Sequence, residues 1–168
     1  MTRIASVRAR RVWDSRGRPT VEAEGALADG ATGRAIAPAG ASRGSNEAID
    51  LRDGGKAFAG LGVERALAGI AAEIAPALTG LDASDQEAVD ARLIELDGTP
   101  QKARLGGNAT IAVSMAVAHA AAASARLSLW AFLARGAAPR LPMPMIQLFG
   151  GGAHAGRRID MQDFLLMP

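Results

Sequence analysis

Two stretches of alternating polarity, joined by four turn-forming residues, most restrict what this chain can become. Ile4 to Trp13 reads as a strand, with Ala5, Val7, Ala9 and Trp13 sharing one parity. Asp14-Ser15-Arg16-Gly17 is a turn by composition. Pro19 opens a second strand in which Val21, Ala23 and Leu27 alternate with Glu22 and Glu24, the period-two pattern of a half-buried strand. So short a turn joins antiparallel neighbours, because a parallel return needs a long crossover. Asp29-Gly30 signals another hairpin, and Thr32 to Ala37 is the third strand. An antiparallel meander is expected, its last strand leading into residues 38–55.

Helical periodicity follows. Val63, Leu67, Ile70, Ile74 and Leu78 fall on one face, with Gly80 as the stop. Ser84 is the expected cap of the next helix, and Glu87 completes a capping-box spacing. Val89, Leu93 and Leu96 line that helix until Gly98 and Pro100 end it. Asn108 is the expected cap of an alanine-rich helix carrying Ile111, Met115 and Ala118 and running to about Arg126. His119 lies inside it with no ligand partner at helical spacing and reads as a spectator. Leu129 to Leu133 is a short helix. Arg140-Leu141-Pro142-Met143-Pro144 is a linker, since its prolines interrupt regular hydrogen bonding. Met145 to Phe149 and Met161 to Met167 are apolar strands on either side of Gly150-Gly151-Gly152.

Composition narrows the function classes. The formal charge is only +2, and 17 arginines accompany just two lysines, Lys56 and Lys102. A nucleic-acid binder more often concentrates its basic residues; here they are scattered, and Arg8, Arg10 and Arg11 form a short solvated cluster. Without cysteine there is no disulfide framework or thiolate metal site. No signal-peptide core or membrane-length apolar run is visible, so a cytoplasmic location and no membrane partner are expected.

The segment Pro38 to Gly55 packs Gly40, Gly44, Gly54 and Gly55 around Ser42, Arg43, Ser45, Glu47, Arg52 and Asp53. Long ordered loops in compact domains are often lids or binding loops. A phosphate-loop reading fails because no Gly-Lys-Ser/Thr follows. Ser42 lacks the strand-to-helix elbow of a serine nucleophile. Pro38-x-Gly40-Ala41-Ser42-x-Gly44-Ser45-x-Glu47-Ala48 with Leu51-Arg52-Asp53-Gly54 resembles the mobile active-site loop of the enolase (phosphopyruvate hydratase) family. Asp14-Ser15-Arg16-Gly17-x-Pro19-Thr20-Val21-Glu22 resembles its first turn. Gly151-Gly152-x-His154-Ala155 through Gln162-Asp163-Phe164 resembles its first barrel segment.

The resemblance implies an α+β fold. Residues 1–138 would form the family's N-terminal capping domain, a three-stranded antiparallel meander followed by helices. Residues 139–168 would begin an incomplete TIM-like β/α barrel. It also implies dehydration of 2-phosphoglycerate through an enolate held by two magnesium ions, in a homodimer or larger homo-oligomer. By motif position, Ser42 is the expected ligand of the second magnesium and Asp163 stands where the family has its acid glutamate. His154, catalytic and substrate-binding, meets the phosphate region. Ala41, Gln162, Arg157 and Arg158 complete the expected substrate contacts. The sequence departs from the family pattern at Asp163, at Arg157 and Arg158, and at Gly150 and Gln147, where asparagines are usual. Neither lysine sits in a motif matching the family's base, so the chain alone is expected to be inactive. Three readings follow: the N-terminal part of an enolase-like lyase, a related enzyme acting on another phosphorylated or phosphonate enolpyruvate, or a non-catalytic binding module.

Overall fold

A computed structural model describes residues 2–40 and 43–168, with the backbone alone at residue 154. Strands β1 (Ile4–Trp13), β2 (Pro19–Leu27) and β3 (Thr32–Ala37) form the expected antiparallel meander in the order β1-β2-β3. The first turn closes on Asp14, whose carboxylate accepts the amides of Arg16 and Arg18 at 2.8 and 2.9 Å, with Gly17 at φ +68. Those amides, Arg18 foremost, together with the two guanidinium charges hold the Asp14 carboxyl below its usual value. Gly30, at φ +89, turns the second hairpin.

The residues of β1 that share one parity do not share one environment. Ile4 and Val7 are buried, whereas Ala5 and Trp13 are exposed. A bulge between Ile4 and Ser6 shifts the pairing by one residue, which puts Ile4 inward in place of Ala5; Trp13 keeps the parity of Val7 and is exposed at the far end of the strand. At the far end, Trp13 meets Phe58 edge-on at 5.4 Å between centroids, and the Arg11 guanidinium lies 4.7 Å from the Phe58 ring.

Helical residues 64–78 comprise α1 (Glu64–Gly69), a π-helical turn (Ile70–Ile74) and α2 (Ala75–Leu78). Ile70, Ile74 and Leu78 are buried as expected. The wider turn sits just before Pro76, which lacks an amide and would crowd the carbonyl one α-turn earlier. The next helix, α3 (Gln86–Asp97), is capped by Asp85 rather than Ser84. Asp85 accepts the Ala88 amide at 3.0 Å, while the Ser84 hydroxyl is spent on Asp82 at 2.8 Å.

Helix α4 (Gly107–Ser124) is the central packing element, and α5 (Leu129–Ala134) follows it. Ala112, Val113, Ala116, Val117, Ala120 and Ala121 bury α4 against the sheet. Ile111 and Met115 are 52% and 40% exposed. Small residues take the buried side because the sheet comes too close for larger ones. A Cβ at Gly33 would stand 2.2 Å from the Ala120 amide nitrogen. Every buried hydrophobic residue of the core lies at or before Ala122.

Beyond the linker, β4 (Ile146–Gly150) and β5 (Asp163–Leu166) pair antiparallel. Phe149 stacks on Phe164 at 4.2 Å, and most other side chains of the hairpin are exposed. The described residues thus form an α+β domain plus a hairpin. No helix among them is long and apolar enough to cross a membrane.

Candidate functional site

Two groups of residues carry the polar chemistry singled out in the sequence. The first surrounds residues 38–55. Arg16, from the first turn, donates to the Ala39 carbonyl. Arg52 donates to the carbonyls of Pro19 and Leu61 at 2.6 and 2.8 Å and pairs with Asp50 at 2.7 Å. The first-turn motif and the loop motif, distant in sequence, are therefore hydrogen-bonded neighbours.

Asp53 supplies the N-terminal cap of α1 from outside the helix, accepting the Glu64 and Arg65 amides at 2.9 Å each. Local spacing could not reveal a cap that comes from eleven residues upstream. A capping carboxylate satisfies otherwise orphaned amides and complements the positive end of the helix. Asn108, expected to cap α4, instead lies inside its first turn, and Gly106 takes the cap position at φ +97. The Asn108 amide is occupied by the backbone of Leu51.

Between these anchors lies an open cleft of about 590 Å³. Pro38, Ala39, Gly40, Arg43 and Glu47 form one side, and Asn108, Ile111 and Met115 form another. Glu47 accepts the Gly44 amide at 2.9 Å, and Gln101 donates to the Ser45 carbonyl at 2.6 Å. Ala41 and Ser42 lie outside the described residues. The exposure of Ile111 and Met115 gives the cleft an apolar wall.

The second group belongs to the β4–β5 hairpin. Asp163, the first residue of β5, accepts from Gln147 at 2.7 Å and from Gln162 at 3.3 Å. Gly150 pairs with Asp163 across the hairpin. A Cβ at Gly150 would stand 2.9 Å from the Gln147 amide nitrogen, so the glycine leaves room for the side chain that reaches Asp163. Gln147, Gly150 and Asp163, three separate departures in the sequence, are thus one packed unit.

The connecting loop is closed at its neck, where the Gly151 amide meets the Gln162 carbonyl and the Gly152 amide meets the Ile159 carbonyl, both at 2.7 Å. A Cβ at Gly151 would strike the Met161 carbonyl at 2.0 Å. Residue 154 falls in the short 3₁₀ turn Gly152–Ala155, and its side chain lies outside the described atoms. Arg157 has φ +60 and donates its amide to the Gly152 carbonyl; both Arg157 and Arg158 are exposed.

The structure therefore gathers Asp163, Gln162 and Gln147 and sets Arg157 and Arg158 in the loop between their strands. No described hydrogen bond or ion pair joins them to residues 38–55. Among the described residues, no group of three or more His, Cys, Asp or Glu side chains could hold a metal ion, so they do not by themselves fit a magnesium site. Asp163 is occupied by two glutamine amides, and Asp53 caps a helix. Among known families, the model described as enolase, N-terminal domain, matches residues 4–133.

Proposed function

The chain belongs to the enolase family through its N-terminal domain, and from that premise we propose that it is the N-terminal part of an enolase-like lyase. In the complete protein this enzyme dehydrates 2-phosphoglycerate to phosphoenolpyruvate with two magnesium ions. Residues 1–138 act as the capping domain, and residues 139–168 begin the barrel. The reading includes a cytoplasmic location and a homodimer or larger homo-oligomer.

The observation that supports it is the double anchoring of residues 38–55. Arg16 holds Ala39 at one end and Asn108 holds Leu51 at the other. A segment fixed at both ends can bring its middle to a substrate without disturbing the domain beneath. That suits a loop that closes over a reaction and excludes water. The magnesium ions would supply positive charge where the enolate develops. The described residues do not form their cage, so no step is assigned here to a bound metal.

In this reading Asp163 is the acid that helps hydroxide leave, Gln147 and Gln162 fix its carboxyl, and His154 and Ala41 face the substrate with Ser42 as a metal ligand. The test is phosphoenolpyruvate formation from 2-phosphoglycerate by the complete protein. Asp163→Asn should lower turnover about a hundredfold or more. Absence of turnover in the wild-type complete protein sinks the reading.

A second substrate reading has support from the packed unit of Gln147, Gly150 and Asp163. A site rebuilt in concert suits another phosphorylated or phosphonate enolpyruvate, with Arg157 and Arg158 meeting an added anionic group. The variant Asp163→Glu separates the two. It should raise 2-phosphoglycerate turnover if the aspartate is only a shortened acid. It should lower it if the longer side chain crowds Gln147.

A further inference from the structure

Asn108 lies in the first turn of α4 and is only 3% exposed. Its amide is engaged at both ends by one backbone residue of another segment. The Leu51 amide donates to Oδ1, and Nδ2 donates to the Leu51 carbonyl, each at 3.1 Å. The side chain therefore pairs with Leu51 as an adjacent strand would. Neighbouring residues reinforce the contact. The Gly107 amide donates to the Ile49 carbonyl at 2.7 Å. A Cβ at Gly107 would stand 2.8 Å from the Ala48 Cβ, and one at Gly106 would stand 2.6 Å from the Leu51 Cβ.

Immediately downstream, Arg52 binds two carbonyls in a part-buried setting, and Asp53 caps α1 at the surface. Upstream the bonds change character. The Gly44–Glu47 and Gln101–Ser45 bonds both lie at the exposed surface, where water competes for each partner. The boundary between the two regimes falls at Ala48.

We propose that Asn108 is a positioning residue that fixes residues 48–53 to the start of α4, so that the loop turns within residues 44–47. Its importance for catalysis rests on the lyase reading; the clamp itself does not. Asparagine suits the task because its amide is both donor and acceptor, whereas an ionised aspartate only accepts. An apolar side chain would leave the Leu51 amide and carbonyl buried without partners.

Amide hydrogen exchange on the 168-residue chain tests this without substrate, so failure of the lyase reading leaves the measurement untouched. In the wild type, Leu51 should exchange about a hundredfold more slowly than residues 44–47. Asn108→Ala should lower Leu51 protection about tenfold while the Val113 and Ala116 amides in α4 stay protected. Uniform exchange from Gly44 to Asp53 in the wild type would overturn the proposal, even if the alanine variant failed to fold. So would unchanged Leu51 protection in a folded Asn108→Ala.

Discussion

Single carboxylates in this chain organise backbone. Asp97 is 2% exposed yet ionised more readily than an ordinary aspartate: burial opposes its charge, but the Leu105 amide at 2.7 Å and the Thr99 amide and hydroxyl outweigh that cost. Asp82 is held at a pKa of about 2 by the Thr2 hydroxyl and by the amide and hydroxyl of Ser84. Both folded-state values are depressed, so the unfolded chain binds protons first on acidification. Their stabilisation is present above the ordinary value of 3.8 and is lost on acidification, for Asp82 as pH falls toward about 2. Asp82→Asn should therefore lower the urea midpoint at pH 6, with the difference from wild type closing between about pH 4 and 2. A difference independent of pH over that range would show that Asp82 acts through shape rather than charge.

At the scale of elements, the contact between β3 and α4 is set by what is missing. Gly33 has no side chain, and the backbone of Ala116 and Ala120 occupies the space where one would be. Gly33→Ala must separate strand and helix and should cost about 1–3 kcal/mol by urea denaturation. A loss below about 0.5 kcal/mol would mean that the edge strand shifts freely, contrary to close packing. The π-helical turn before Pro76 shows the opposite economy: the helix widens locally rather than ending, and Ile70, Ile74 and Leu78 still reach the core.

For the whole molecule, the distribution of burial separates a folded domain from an appended hairpin. Leu141, Met143, Met145, Leu148 and Met161 are each at least 60% exposed, whereas the buried hydrophobic core ends at Ala122. A chain of residues 1–138 should therefore melt within about 2 °C of the 168-residue chain. A drop of 10 °C or more would show that the hairpin contributes to the core.

The meander was legible because its causes are local. Turn residues and period-two alternation operate over four to ten residues, and the structure follows them from Ile4 to Ala37. The motifs around residues 14–22 and 38–55 were equally plain, and the enolase N-terminal domain match agrees with them. What the sequence could not disclose depends on contacts between distant segments. The bulge that buries Ile4 in place of Ala5, the Asp53 cap reaching α1, and the diversion of Asn108 from capping to Leu51 each need a partner far away in sequence. Which face of α4 is exposed also depends on distant contacts. Periodicity counts apolar residues, but the closeness of β3 decides which helical face can be buried. There alanine fits and the larger Ile111 and Met115 are left to line the cleft. Local propensity set the elements; the distance between backbones chose their faces.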